Sequence, residues 1–134
     1  MKTRLLFLLL GILNFTIILG QVDYSKPELV AEKFLQLYFK GDWFRACSDF
    51  CTPDCDNQLS FMIKVMETSD KYVDEGTCTF VIDSCKINKD SVNAECFYSK
   101  TCSALTKAKK HKLYLKLTGE KWLVNYLWKR DKFL

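Results

Sequence analysis

Residues 78–102 read CTFVIDSCKINKDSVNAECFYSKTC. Cys78, Phe80 and Ile82 share one parity with β-branched Thr79 and Val81 between them, as a half-buried strand requires. Asn88, Lys89, Asp90 and Ser91 are turn formers, and beyond them Val92, Ala94, Cys96 and Tyr98 alternate again, so the stretch is a β-hairpin. Residues facing each other across a hairpin keep a constant sum of positions. Cys78 with Cys102 falls one short of Cys85 with Cys96. Two cross-strand disulfides are therefore compatible if one bulge absorbs the difference. The apolar parity does switch, from even at Ile82 to odd at Cys85 and Ile87, which places that bulge near Asp83 or Ser84.

The pattern extends in both directions. Downstream, Leu113, Leu115 and Leu117 alternate with Lys112, Tyr114 and Lys116, and Thr118, Gly119 and Glu120 reverse the chain. A last strand then carries Trp122, Val124, Tyr126 and Trp128 on one face. Upstream the period is 3.6. Ser25, Lys26, Pro27 and Glu28 form an S-x-x-E capping box with proline in the first turn. Val30, Phe34, Leu37 and Tyr38 continue a helix that Gly41 stops. Asp42 caps a second helix bearing Trp43, Cys47 and Phe50, and Thr52 with Pro53 opens a third bearing Cys55, Leu59, Met62 and Met66. The predicted fold class is α+β: three N-terminal helices, within residues 26–70, packed on one face of a four-stranded antiparallel meander.

The chain has 134 residues, 49% hydrophobic and 27% charged, which suits one globular domain and excludes disorder and repeats. Lys2 and Arg4 precede an apolar run at positions 5–19 and then Gly20, the pattern of a secretory signal peptide, residues 1–20. That run is short of the roughly 20 residues of a spanning helix. The expectation is a mature domain of residues 21–134, secreted or periplasmic, with no membrane span after cleavage. In such a compartment Cys47, Cys51, Cys55, Cys78, Cys85, Cys96 and Cys102 read as a disulfide framework. The odd count leaves at least one thiol unpaired. Cys47 with Cys51, Cys51 with Cys55, and helix-to-sheet pairings all remain open. No CxxC occurs and His111 is the sole imidazole, so neither a zinc site nor any other metal or cofactor is expected.

Charge is unevenly spread: ten basic and two acidic residues lie in 100–134, against eight basic and fourteen acidic in 21–99. Lys107, Lys109, Lys110, His111 and Lys112 read as a solvated hairpin, because no aromatic interleaves them; no nucleic-acid partner is expected.

Two stretches, KPELVAEKFLQLYFKGDWFRA at 26–46 and LYLKLTGEKWLV at 113–124, resemble the small exported bacterial proteins of the nuclear-transport-factor-2-like superfamily, also called ketosteroid-isomerase-like or cystatin-like. The resemblance implies a cone in which a curved sheet wraps the first helix and can leave a cavity at its open end. Many members are lipoproteins, but here Gln21 stands where the lipid-bearing Cys would be. The expected class is a noncatalytic domain that binds a small apolar ligand or peptide in the cone cavity. Its candidate lining is Phe34, Tyr38, Phe80, Tyr98, Trp122, Tyr126 and Trp128, although the same stripe equally suits a core. The alternative is an envelope interaction module, a possible homodimer through the sheet or an unpaired Cys. Isomerase-like chemistry would need a buried base and an oxyanion donor. Among Asp83, Glu95, Tyr98, His111 and Tyr126 no pair matches a catalytic motif, and His111, flanked by lysines, reads as a surface residue.

Overall fold

Val30 and Phe34 recur one turn apart, and Ala31 and Leu35 widen their stripe into a face broad enough to cover a sheet. In the computed structural model, which describes residues 21–68 and 75–126, this helix is α1, Pro27–Phe39, and all four side chains are buried. Its start departs from the expected capping box. Lys26 is the N-cap without a side-chain bond, while Ser25 donates its backbone N–H (3.0 Å) and hydroxyl (2.6 Å) to Asp23 Oδ1. The Asp23 carboxylate closes a local turn that engages Ser25 before the helix begins. The end is as expected: Gly41 has φ +78°, its N–H donates to the Tyr38 carbonyl (3.1 Å), and the Asp42 N–H donates to that of Leu37 (3.0 Å). These paired bonds are the Schellman motif that a left-handed glycine permits.

Asp42 then caps α2, Trp43–Phe50, accepting from the Arg45 N–H at 3.4 Å. Thr52 opens α3, Pro53–Thr68: its Oγ1 accepts from the Cys55 N–H (3.4 Å) and donates to Asn125 Oδ1 (2.8 Å). Its own N–H donates to the Val124 carbonyl (2.8 Å), so this buried polar residue is fully partnered and ties the corner between α2 and α3 to the last strand.

The strands β1 (Cys78–Ile87), β2 (Asn93–Cys102), β3 (Lys109–Thr118) and β4 (Lys121–Tyr126) pair antiparallel in chain order. Ala94, Cys96, Tyr98, Leu113, Leu115, Trp122 and Val124 cover the sheet's inner face and form one core with Val30, Phe34, Leu35, Ala46, Phe50, Cys55 and Leu59. The α+β architecture follows directly. Cys78 stands opposite Cys102 and Cys85 opposite Cys96, both pairs are disulfide-bonded, and the register shifts between Ile82 and Ser84, leaving Asp83 as the extra residue. Ser99 Oγ donates to the Asp83 carboxylate at 2.9 Å. Helix-to-sheet bridges are thereby excluded, and Cys47, Cys51 and Cys55 are thiols.

A second register shift lies in β4, where Leu115 faces Val124 but Tyr114 faces Tyr126, so Asn125 is extra. The expected strict alternation therefore ends at Val124, and Tyr126 stands opposite Tyr114. The cause is the Thr52 hydroxyl, which engages Asn125 from a distant part of the chain. Trp128 and the expected signal peptide lie outside the described residues, among which no helix is long and apolar enough to cross a membrane.

Two stability outcomes follow. Replacing Cys85 and Cys96 together by Ser opens the inner loop, and urea unfolding should register a loss of about 2–3 kcal/mol. Thr52→Ala should cost about 1–2 kcal/mol through the lost cap and the stranded Asn125 acceptor, and Thr52→Ser should recover most of it.

Candidate binding groove

The two edges of the sheet are treated differently by the rest of the chain. At β4, the Trp122 N–H donates to the Tyr24 carbonyl (2.9 Å), Thr52 takes the Val124 carbonyl, and Cys51 forms a parallel bridge with Val124. At β1, the only strand partner among the described residues is β2. Beside this open edge runs a groove of about 710 Å³. One wall is α1, through Glu28, Glu32, Gln36, Phe39 and Lys40, and the other is β1, from Cys78 to Ile82.

The backbone of that edge is aimed by the disulfide. Cys78 and Cys102 have Cα atoms 4.0 Å apart, the close spacing of a non-hydrogen-bonded antiparallel pair rather than the roughly 5.5 Å of a bonded one. Two-residue periodicity then turns the N–H and C=O groups of Phe80 and Ile82 away from β2 and toward the groove.

Aromatic rings connect the groove to the sheet interior. Phe80 stacks on Phe39 (centroids 5.5 Å), Phe39 meets Tyr98 edge-on (6.5 Å), and Tyr98 stacks on His111 (5.4 Å). Tyr38 stacks on Phe34 (5.9 Å), packs edge-on to Phe39 (5.3 Å), and donates its hydroxyl to Met62 Sδ (3.9 Å). Of the seven residues expected to line a cavity, Phe80 lines this groove, and Tyr38 and Tyr98 reach it through Phe39. Phe34 is 0% exposed and Trp122 4% exposed, both in the core. Tyr126 is described in its backbone register alone, and Trp128 falls outside the described residues.

Sequence reasoning placed Phe39 in the helix stripe but left it, the joint of the aromatic chain, out of the lining, and it misplaced His111. His111 is half-buried and its Nε2 is hidden without a partner among the described residues. Burial, with the nearby Lys100 charge, holds its pKa below the ordinary value. The signal was available: His111 shares its parity with the inward Leu113 and Leu115. Next to it Glu75 accepts from Lys100 and Lys109, and those bonds hold its carboxyl below the usual range. Of the polar residues considered for catalysis, Tyr98 and His111 meet. Asp83 sits on the bulge, and Glu95 pairs with Lys112. Glu75, Cys78 and Cys102 cluster within 4.8 Å, but the disulfide occupies both sulfurs, so they are not a metal set.

No protein-family model, curated protein or solved structure matches this chain.

The fold favours the neutral form of His111, so the unfolded chain takes up that proton at higher pH than the folded one. Stability should fall as pH drops below about 6.5 and level off once the folded imidazole is protonated. The Glu75 contribution is present above about pH 4.3 and is lost at lower pH, as its folded carboxyl titrates. His111→Phe should flatten the first decline and leave the second, as read from urea midpoints across the pH range.

Proposed function

We propose that this is an exported, noncatalytic binding domain whose β1 edge accepts an extended peptide segment of a partner protein as an additional strand. The supporting observation is the conjunction of an open strand edge, with Phe80 and Ile82 backbone groups directed outward, and an aromatic-floored groove alongside it. Main-chain bonds supply affinity in such strand addition, and pockets for alternate side chains supply selectivity. Charge indicates the guest's orientation. Cys96 Sγ lies 4.0 Å from the Pro27 carbonyl, which sets the start of α1 near Cys85, and Phe39 on Phe80 sets its end near Cys78. Glu28 and Glu32 therefore flank the Ile82 end of the groove and Lys40 the Cys78 end. An antiparallel guest presents its amino-terminal half to the two glutamates and its carboxyl end to Lys40, so lysines belong early in the segment. The two disulfides support residence in an oxidising compartment, as the signal-like residues 1–20 also do. Kinship with the nuclear-transport-factor-2-like superfamily is part of this reading and rests on the order of three helices and four antiparallel strands.

The test is amide hydrogen exchange with a short synthetic peptide that alternates Lys and Val in its amino-terminal half and ends in a free carboxylate. Its counterpart carries Glu for Lys. The lysine peptide should slow exchange at Phe80 and Ile82, and Glu28→Lys with Glu32→Lys should weaken binding about tenfold or more. Equal binding of both peptides, or protection that spares the edge amides, would overturn the proposal.

A further inference from the structure

Three thiols remain after the sheet disulfides, and they lie together at the corner where α2 ends and α3 begins. Cys51 is the C-cap of α2, with extended backbone (φ −104°, ψ 149°), and Cys55 sits in the first turn of α3. Their sulfur atoms are 3.0 Å apart, against about 2.05 Å for a covalent S–S bond. The corner is held from outside the pair: the Cys51 N–H donates to the Cys47 carbonyl (3.2 Å), Thr52 is bound to Val124 and Asn125, and Thr52 Oγ1 receives the Cys55 N–H. The backbone on both sides of the two sulfurs is therefore pinned while the sulfurs sit in contact.

We infer that Cys51 and Cys55 form a third disulfide when the protein meets a thiol oxidant of the small-disulfide class, and that Cys47 is the thiol left over. The step balances as ordinary exchange. Cys51, partly buried but less so than Cys55, attacks one sulfur of oxidised glutathione as its thiolate and releases one glutathione thiolate. Cys55, 0% exposed and already against Cys51, then attacks the Cys51 sulfur of the mixed disulfide and releases the second. Two thiol protons pass to the two leaving thiolates, the Cys pair is oxidised, and the glutathione disulfide is reduced. Cys47 also neighbours Cys51, but the 3.0 Å sulfur contact belongs to Cys51 and Cys55, and Cys47 lines a groove of about 360 Å³ with Trp43, Phe44, Leu59 and Ile63. Its thiol is pushed up to about 12, by burial first and then by Asp56, so near neutrality acidity does not set the pairing and the sulfur contact does. The Cys51 thiol is also raised, through its contact with Cys55 and then by burial. Closure in the folded protein should accordingly accelerate about tenfold per pH unit, with the thiolate fraction.

The experiment uses the full chain equilibrated with oxidised glutathione. Thiols are blocked with N-ethylmaleimide before reduction and with iodoacetamide after it, and the peptides are mapped by mass spectrometry. The expected map carries maleimide on Cys47 alone, with a Cys51–Cys55 linkage beside the two sheet bridges. The Cys47→Ser protein should bind no maleimide. Maleimide on all three helical cysteines, or a Cys47–Cys51 linkage in the unmodified sequence, would overturn the inference. The mapping of the unmodified chain decides this even if a variant fails to fold.

Discussion

Everything in this fold is referred to one register, that of β1 against β2. Two disulfides join residues directly opposite each other, and they can coexist in a single hairpin because Asp83 is extra between Ile82 and Ser84. The bridges are nested, so once the inner one closes, the outer one restrains a much shorter free loop, and their contributions to stability overlap rather than add. With the hairpin held, Ala94, Cys96 and Tyr98 present a continuous apolar row, and α1 can lay Val30, Phe34 and Leu35 across it.

A second tie, through Thr52, connects the helical half to the far side of the sheet. Its hydroxyl serves the start of α3 and the bulged Asn125 at once, and its backbone N–H serves Val124. One residue thus joins the corner of two helices to β4. The same residues occupy that edge of the sheet, which is why the asymmetry between a covered β4 and an open β1 arises from packing rather than from strand composition.

The hairpin was legible in the chain because cysteine position and apolar parity report the same register independently. The helices were legible because caps, proline and glycine bracket each apolar stripe; the exception, Ser25, was lost to a local bond with Asp23. The Asn125 bulge was not legible, since its cause stands 73 residues away. His111 was misread because neighbouring lysines outweighed strand parity. Glu75 precedes β1 with no periodic pattern to mark it, yet it receives Lys100 and Lys109. The groove was invisible for a different reason: it belongs to neither α1 nor β1 but to the space left where they pack.

Asp83 has one further effect. An open strand edge of ten residues is a hazard, because two copies could zip together along it. The bulge breaks the regular pairing surface after Ile82, and the groove ends at the same residue. An incoming chain therefore finds a short straight landing from Cys78 to Ile82 and a kink beyond it, long enough to seat a brief segment of another protein and too short to template an indefinite stack of its own kind.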